Sequence, residues 1–231
     1  MNDASKERGS PYLDRLGRAV SDHEDLWLER WKTVLEASRT GSVLELGCGG
    51  GRDTRFLTAL GLRVIAADYS SEALELCRRS APLADLRLID LREPLPFGEG
   101  AFPVVLASLC LHFFPWSTTL EIMTELRRCL EPGGFLLLRV NSSRDRQLCG
   151  GAAPPEVEPN LFLMKGRLKR FFDREAVQCL IGTGWKPYAL EELRVERYGA
   201  AKYLWEGVLE KEGEGDDRVS RDLLAEEAPI K

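Results

Sequence analysis

Histidine is scarce in this chain, cysteine is never closely paired, and no long apolar run occurs. The 231 residues contain two histidines, His23 and His112, so any imidazole chemistry must use one of them. The six cysteines (Cys48, Cys77, Cys110, Cys129, Cys149 and Cys179) form no C-x-x-C pair. That excludes ribbon-type zinc sites and the clustered thiols of a radical enzyme, and no metal site is expected. Four of them fall in apolar or element-forming stretches, as reduced thiols of a cytoplasmic protein would. No stretch is apolar for long enough to span a bilayer. The start of the chain, Met1 to Arg8, is polar and lacks the apolar core of a signal peptide. A cytoplasmic location without a membrane partner is therefore expected. Excess positive charge is missing too: the formal net charge of −5 argues against a bulk nucleic-acid binder. With 44% hydrophobic residues the chain can bury one sizeable core, giving one domain with additions.

What is present is organised around Val43-Leu-Glu-Leu-Gly-Cys-Gly-Gly-Gly-Arg52. A short strand, Val43 to Leu46, runs into a glycine cluster, and Asp53 to Leu60 reads as a helix. Strand, glycine turn and helix together bring backbone amides up to a nucleotide-like ligand. The dinucleotide pattern G-x-G-x-x-G fails, because its sixth position is Arg52, and a P-loop fails for want of the lysine. A second strand, Leu62 to Ala67, ends in Asp68-Tyr69-Ser70, about twenty residues past the first glycine, where such sites place a carboxylate on ribose hydroxyls. The next helix runs from Ser71 to Arg79, capped by Ser70 or Ser71. The third strand, Leu86 to Ile89, closes on Asp90-Leu91, and Pro96-Phe97 leads to a fourth strand, Phe102 to Ala107. Ser108-Leu-Cys-Leu-His112-Phe-Phe-Pro115 follows, then a helix over 117–130. Glu131-Pro-Gly-Gly134 turns the chain into a fifth strand, Phe135 to Val140.

Glu45-x-Gly47-x-Gly49-x-Gly51 resembles the first motif of the class I S-adenosylmethionine-dependent methyltransferases. The later landmarks recur in that family's order across residues 43–209. The resemblance implies a Rossmann-like α/β fold: a seven-stranded sheet in the order 3-2-1-4-5-7-6, the last strand antiparallel, with helices on both faces. It implies S-adenosyl-L-methionine as cofactor. Glu45, Gly47, Cys48, Gly49 and Gly51 would border its methionine part, Asp68, Tyr69 and Ser70 its ribose, and Asp90 and Leu91 its adenine. Ser108 would lie near the methyl group. The chain lacks the Pro-Pro-aromatic segment of base-amino methyltransferases, and Cys110 lacks the proline of cytosine C5 enzymes. Ser108-Leu-x-Leu-His112 is instead similar to methyltransferases of quinone precursors and related metabolites, which implies a small-molecule acceptor and no nucleic acid. His112 is the candidate base, or else a pocket residue that moves no proton. Acceptors on RNA or protein, and a non-catalytic cofactor-binding role, are the rival readings. A monomer or homodimer fits either.

The flanks are less specific. Residues 12–35 carry a helical period (Leu13, Leu16, Val20, Leu26, Trp27, Trp31, Val34, Leu35), so the first 40 residues form either a lid or a helix that only packs on the sheet. His23 sits between acids there, either solvated or functional. Residues 141–172 form an insertion in which Arg144, Arg146, Lys165, Arg167, Lys169 and Arg170 accumulate. It is either an acceptor cover or a solvated loop. A helix is expected over 171–181, then an antiparallel strand pair, Trp185 to Val195 and Lys202 to Leu209. Phe172 through Trp205-Glu206 also resembles tellurite-resistance-type methyltransferases. The domain ends near 210, and residues 211–231 read as an acidic disordered tail.

Overall fold

The computed structural model describes residues 27–37, 41–147, 154–182, 184–197 and 200–213. Most of the expected N-terminal helical segment, His23, part of the 141–172 insertion and most of the tail lie outside these. The main sheet has seven strands in the order β3-β2-β1-β4-β5-β10-β9. They are β1 (Ser42–Leu46), β2 (Arg63–Asp68), β3 (Asp85–Leu88), β4 (Phe102–Ser108), β5 (Leu130–Asn141), β9 (Trp185–Arg197) and β10 (Ala200–Lys211). The first five are parallel, and β10 runs antiparallel to both β5 and β9. With the last two strands counted as sixth and seventh, this is the order the resemblance implied.

Helices cover both faces, which is why the central strands are apolar almost without alternation. On one face Leu44, Leu46, Val105 and Leu138 meet α4 (Trp116–Cys129) and α6 (Arg174–Ile181), through Ile122, Leu126, Val177 and Leu180. On the other, Val43, Val104, Leu106 and Leu137 meet α2 (Arg52–Ala59) and α3 (Ser71–Ser80), through Leu57, Leu74 and Cys77. The described N-terminal piece, a 3-10 turn over Trp27–Trp31 and α1 (Lys32–Ala37), packs on this second face through Trp27, Leu28 and Leu35.

Two expectations change in detail. Residues 141–172 are not simply a loop. After α5 (Ser143–Gln147), β6 (Glu156–Glu158), β7 (Leu161–Met164) and β8 (Arg167–Arg170) form a separate antiparallel sheet. The helix expected from Phe171 begins at Arg174, because Asp173 caps it by accepting from Ala176 N at 2.8 Å. Phe171 and Phe172 are instead fully buried, and Phe172 N donates to Asn141 O. No helix among the described residues is long and apolar enough to cross a membrane.

Candidate active site

The strand order reverses between β1 and β4, and in open α/β sheets ligands bind beyond the strand ends at such a switch point. The glycine turn lies there. Gly47, Gly49 and Gly51 have φ of 68°, 54° and 81°, a region cheap only for glycine. Gly47 is doubly constrained, since a Cβ on it would lie 2.5 Å from Cys110 Cβ. Gly50, in contrast, faces open space, with no atom within 4 Å of an added Cβ. The turn thus presses against the β4 end at one glycine and offers bare backbone at another.

Asp68, at the end of β2, is 5% exposed and holds the turn in place. Its Oδ2 accepts from Gly49 N and its Oδ1 from Ser70 N, both at 3.0 Å. Each oxygen keeps a lone pair beyond these bonds, enough for two ribose hydroxyls. Ser70 Oγ is used as the cap of α3, accepting from Ala73 N at 3.2 Å. Tyr69 between them is exposed.

Glu45 sits differently from a ligand-facing group. Its side chain is enclosed between β1 and α2, where Oε2 accepts from Thr54 Oγ1 at 2.7 Å. Burial, and next the nearby Asp53 charge, raise its carboxyl well above the usual range. Cys48 is buried with its backbone N on Ala67 O; its thiol donates to Gly49 O at 3.8 Å, and that of Cys77 donates to Thr54 Oγ1 at 3.4 Å. The interaction between the two neighbouring thiols pushes Cys48 up and draws Cys77 down to about 7.

Asp90, expected from the resemblance to meet adenine, is held by Arg92 two residues on, through both the guanidinium and the backbone N. This bond, opposed by slight burial, lowers the Asp90 carboxyl. Leu91 packs on the adjoining core.

The end of β4, where the resemblance implies the methyl group, forms the other side of the switch point. Leu109 takes φ 55°, a conformation that costs a non-glycine residue about 1 kcal/mol or more. Its N–H is fixed on Arg139 O at 2.8 Å. The bend turns the chain into a short 3-10 helix, Leu111–Phe113, which carries His112 over the strand end. His112 is buried, its ring 4.1 Å from that of Phe113. Ser108 Oγ is buried with no hydrogen-bond partner among the described residues.

The small sheet is anchored on the same loop. Glu158 accepts from Trp116 N at 2.6 Å and pairs with the buried Arg170, whose guanidinium lies 5.3 Å from the Trp116 ring. On the other side Trp27 Nε1 donates to Asp53 Oδ2 at 3.1 Å, tying the N-terminal piece to the start of α2. The Trp27 ring also lies 4.8 Å from the guanidinium of Arg139, which is fully buried and 3.4 Å from Glu206. Arg139 was not singled out from the sequence, and Glu206 was named only within the Trp205-Glu206 pair. The available signals were a lone arginine inside Phe135-Leu-Leu-Leu-Arg-Val140 and a lone acid inside Leu204-Trp-Glu-Gly-Val208. A cavity of about 770 Å³ between α4, α6 and β10, lined by Met123, Arg127, Trp185 and Lys211, opens at the opposite end of the sheet and is separate from this site.

Comparison with known proteins agrees with this geometry. Residues 43–134 match the methyltransferase-domain family. An uncharacterized methyltransferase of Synechocystis is 38% identical over 96 residues, covering 42% of this chain and 45% of that protein. The malonyl-[acyl-carrier protein] O-methyltransferase of Enterobacter lignolyticus is 28% identical over 70% of this chain and 61% of its own length. The Burkholderia thailandensis 1,6-didemethyltoxoflavin-N1-methyltransferase, solved with its acceptor and S-adenosylhomocysteine, shares the fold at a TM-score of 0.58 and 22% identity, covering 82% of each chain. The chain spans about half the length of the curated relatives it matches. The match over residues 43–134 is to a methyltransferase domain, and the fold is shared with solved methyltransferases. The open backbone at Gly50, the spare lone pairs of Asp68 and the unpartnered Ser108 hydroxyl suit S-adenosyl-L-methionine, the cofactor that the sequence resemblance implies.

Proposed function

We propose that the chain transfers the methyl group of S-adenosylmethionine to a small-molecule acceptor. The observation that carries the reading is the convergence of the glycine turn, Ser108 and His112 at the switch point, beneath a small sheet fastened to the same loop. Held by Asp68, the turn amides and Ser108, the cofactor would supply its electrophilic sulfonium methyl to the acceptor's lone pair and keep the electron pair of the broken carbon–sulfur bond. The protein's task is then to align the acceptor and exclude water. Asp68 and the amides of the turn fix the cofactor's orientation. The His112 turn and the sheet over 156–170 shield the transfer position, and the N-terminal piece latched through Trp27 borders it. A proton on a hydroxyl or ammonium acceptor leaves to His112. The negative net charge supports a partner other than nucleic acid.

A second reading is a carboxyl group on a carrier protein, favoured by the similarity to the Enterobacter protein over 70% of the chain. Calorimetry with S-adenosylhomocysteine, followed by tritiated methyl transfer into a metabolite panel and into acyl-carrier proteins, tests both. Label in the small-molecule fraction supports the first reading. Label only in the protein fraction supports the second, and absence of cofactor binding refutes both.

A further inference from the structure

Asn141, the last residue of β5, has an environment that the binding residues described above do not account for. It is fully buried, yet neither its amide oxygen nor its amide nitrogen has a hydrogen-bond partner among the described residues. A carboxamide offers two donors and an acceptor, and leaving them unmet in a dry site is costly. Its backbone is immobilised: its carbonyl accepts from Phe172 N at 2.8 Å, and the next residue, Ser142, donates from N to Tyr203 O at 3.1 Å. The side chain is thus held on a rigid strand end.

Strand alternation puts Asn141 on the same face as Leu137 and Arg139, the face of α2 and the Trp27 piece. Across the pairing with β10 it meets Leu204, which has no polar side-chain atom to offer. The nearest charge along the strand, Arg139, is already met by Glu206 at 3.4 Å. With that charge already paired, and the buried Asp145 carboxylate on Tyr203 N beside Leu204, the site suits a neutral polar group better than an anion. Position along the sheet edge says which molecule could supply that group. Asp68 ends β2, the glycine turn follows β1, Ser108 ends β4 and Asn141 ends β5. At about 4.8 Å per strand, Asn141 lies roughly 14 Å across the sheet from Asp68 and one strand beyond Ser108. The sulfonium of the cofactor is only two bonds from its ribose ring, so Asn141 lies past the methyl, on the acceptor's side.

We propose that Asn141 is an acceptor-binding residue whose carboxamide pairs with a neutral group that both donates and accepts, a hydroxyl or an amide, on the methyl acceptor. This rests on the methyltransferase reading above and adds the chemical class of its acceptor. Three measurements on Asn141→Leu, of similar shape, and Asn141→Ser test it. First, S-adenosylhomocysteine affinity by calorimetry should stay within about twofold of wild type; a loss of tenfold or more in both variants would assign Asn141 to the cofactor and overturn the proposal. Second, because no internal bond is lost, the Asn141→Leu melting temperature should equal or exceed that of wild type; a fall of more than about 4 °C in both variants would make the residue structural and overturn it. Third, tritiated methyl transfer is measured on a panel of hydroxyl-, amide- and carboxylate-bearing small molecules. Transfer to hydroxyl or amide members should fall on the order of 10- to 100-fold in kcat/KM in Asn141→Leu. Transfer by wild type to carboxylates alone, or to no member despite cofactor binding, would refute the acceptor class. Wild type that binds no cofactor would refute the underlying methyltransferase reading instead.

Discussion

Replacing Glu206 with leucine tests the most deeply buried electrostatic contact in the described structure. Arg139 is 0% and Glu206 2% exposed, so neither can rehydrate when its partner is removed. Breaking a buried pair from one side costs about 3–5 kcal/mol, mostly the price of the stranded charge. Glu206 Oε1 also accepts from Trp31 Nε1 and Arg30 Nη1, both at 3.0 Å. The Trp31 bond adds about 1 kcal/mol, whereas Arg30 is half exposed and adds little. Glu206→Leu should therefore cost about 4–5 kcal/mol, or roughly 10–15 °C in melting temperature. Arg139→Met should cost less than Glu206→Leu, because the carboxylate keeps Trp31 Nε1 and the Arg30 guanidinium on Oε1. The double variant should cost less than about 2 kcal/mol, since an apolar pair can pack against Leu137, Val208 and the Trp27 ring. Urea unfolding followed by circular dichroism for the four proteins closes the cycle. A single-variant cost below about 1 kcal/mol, or strict additivity in the double variant, would refute the account of this pair as mutually dependent.

Asp68→Ala should weaken S-adenosylhomocysteine binding by about 1.5–3 kcal/mol in calorimetry, because it removes both the ribose acceptors and the clamp on Gly49 N. His112→Ala should lower single-turnover methyl transfer by about 10²–10⁴ for a hydroxyl or ammonium acceptor while leaving cofactor affinity nearly unchanged, and an intact rate with an unchanged pH profile would remove the imidazole from proton transfer. Glu45 gives a pH signature. Its folded carboxyl is raised above the unfolded value by burial first and the Asp53 charge second. Its contribution is therefore full below the unfolded pKa and is lost as pH rises through the folded one. Glu45→Gln, which keeps an acceptor for Thr54, should remove that loss, so chemical denaturation should show the variant gaining on wild type as pH rises; parallel curves would contradict the raised carboxyl.

Much of the sheet was legible in the chain itself. Buried parallel strands are short apolar runs ended by turn residues, and Val43 to Leu46, Leu62 to Ala67 and Phe102 to Ala107 each fall within a residue or two of an observed strand. The glycine turn and the acid at 68 were also readable, because positive φ and the strand-to-helix spacing are local demands that leave local marks. The order of strands came from the family resemblance, since nothing in a strand's own residues says which neighbour it pairs with.

Tertiary structure alone decided what each polar side chain faces. Glu45 reads as the acid that closes a ligand-binding strand, yet alternation turns it inward to Thr54. Asp90 is taken by Arg92, a contact that depends on the bend between them. Arg139 and Glu206 lie within strands expected from the sequence, and Asn141 opens the expected insertion. Their placement follows from the antiparallel register of β5 with β10, in which Arg139 lies opposite Glu206 and Asn141 opposite Leu204. A slip of one residue would send each side chain to the other face, and that register is set by the packing of both cores together.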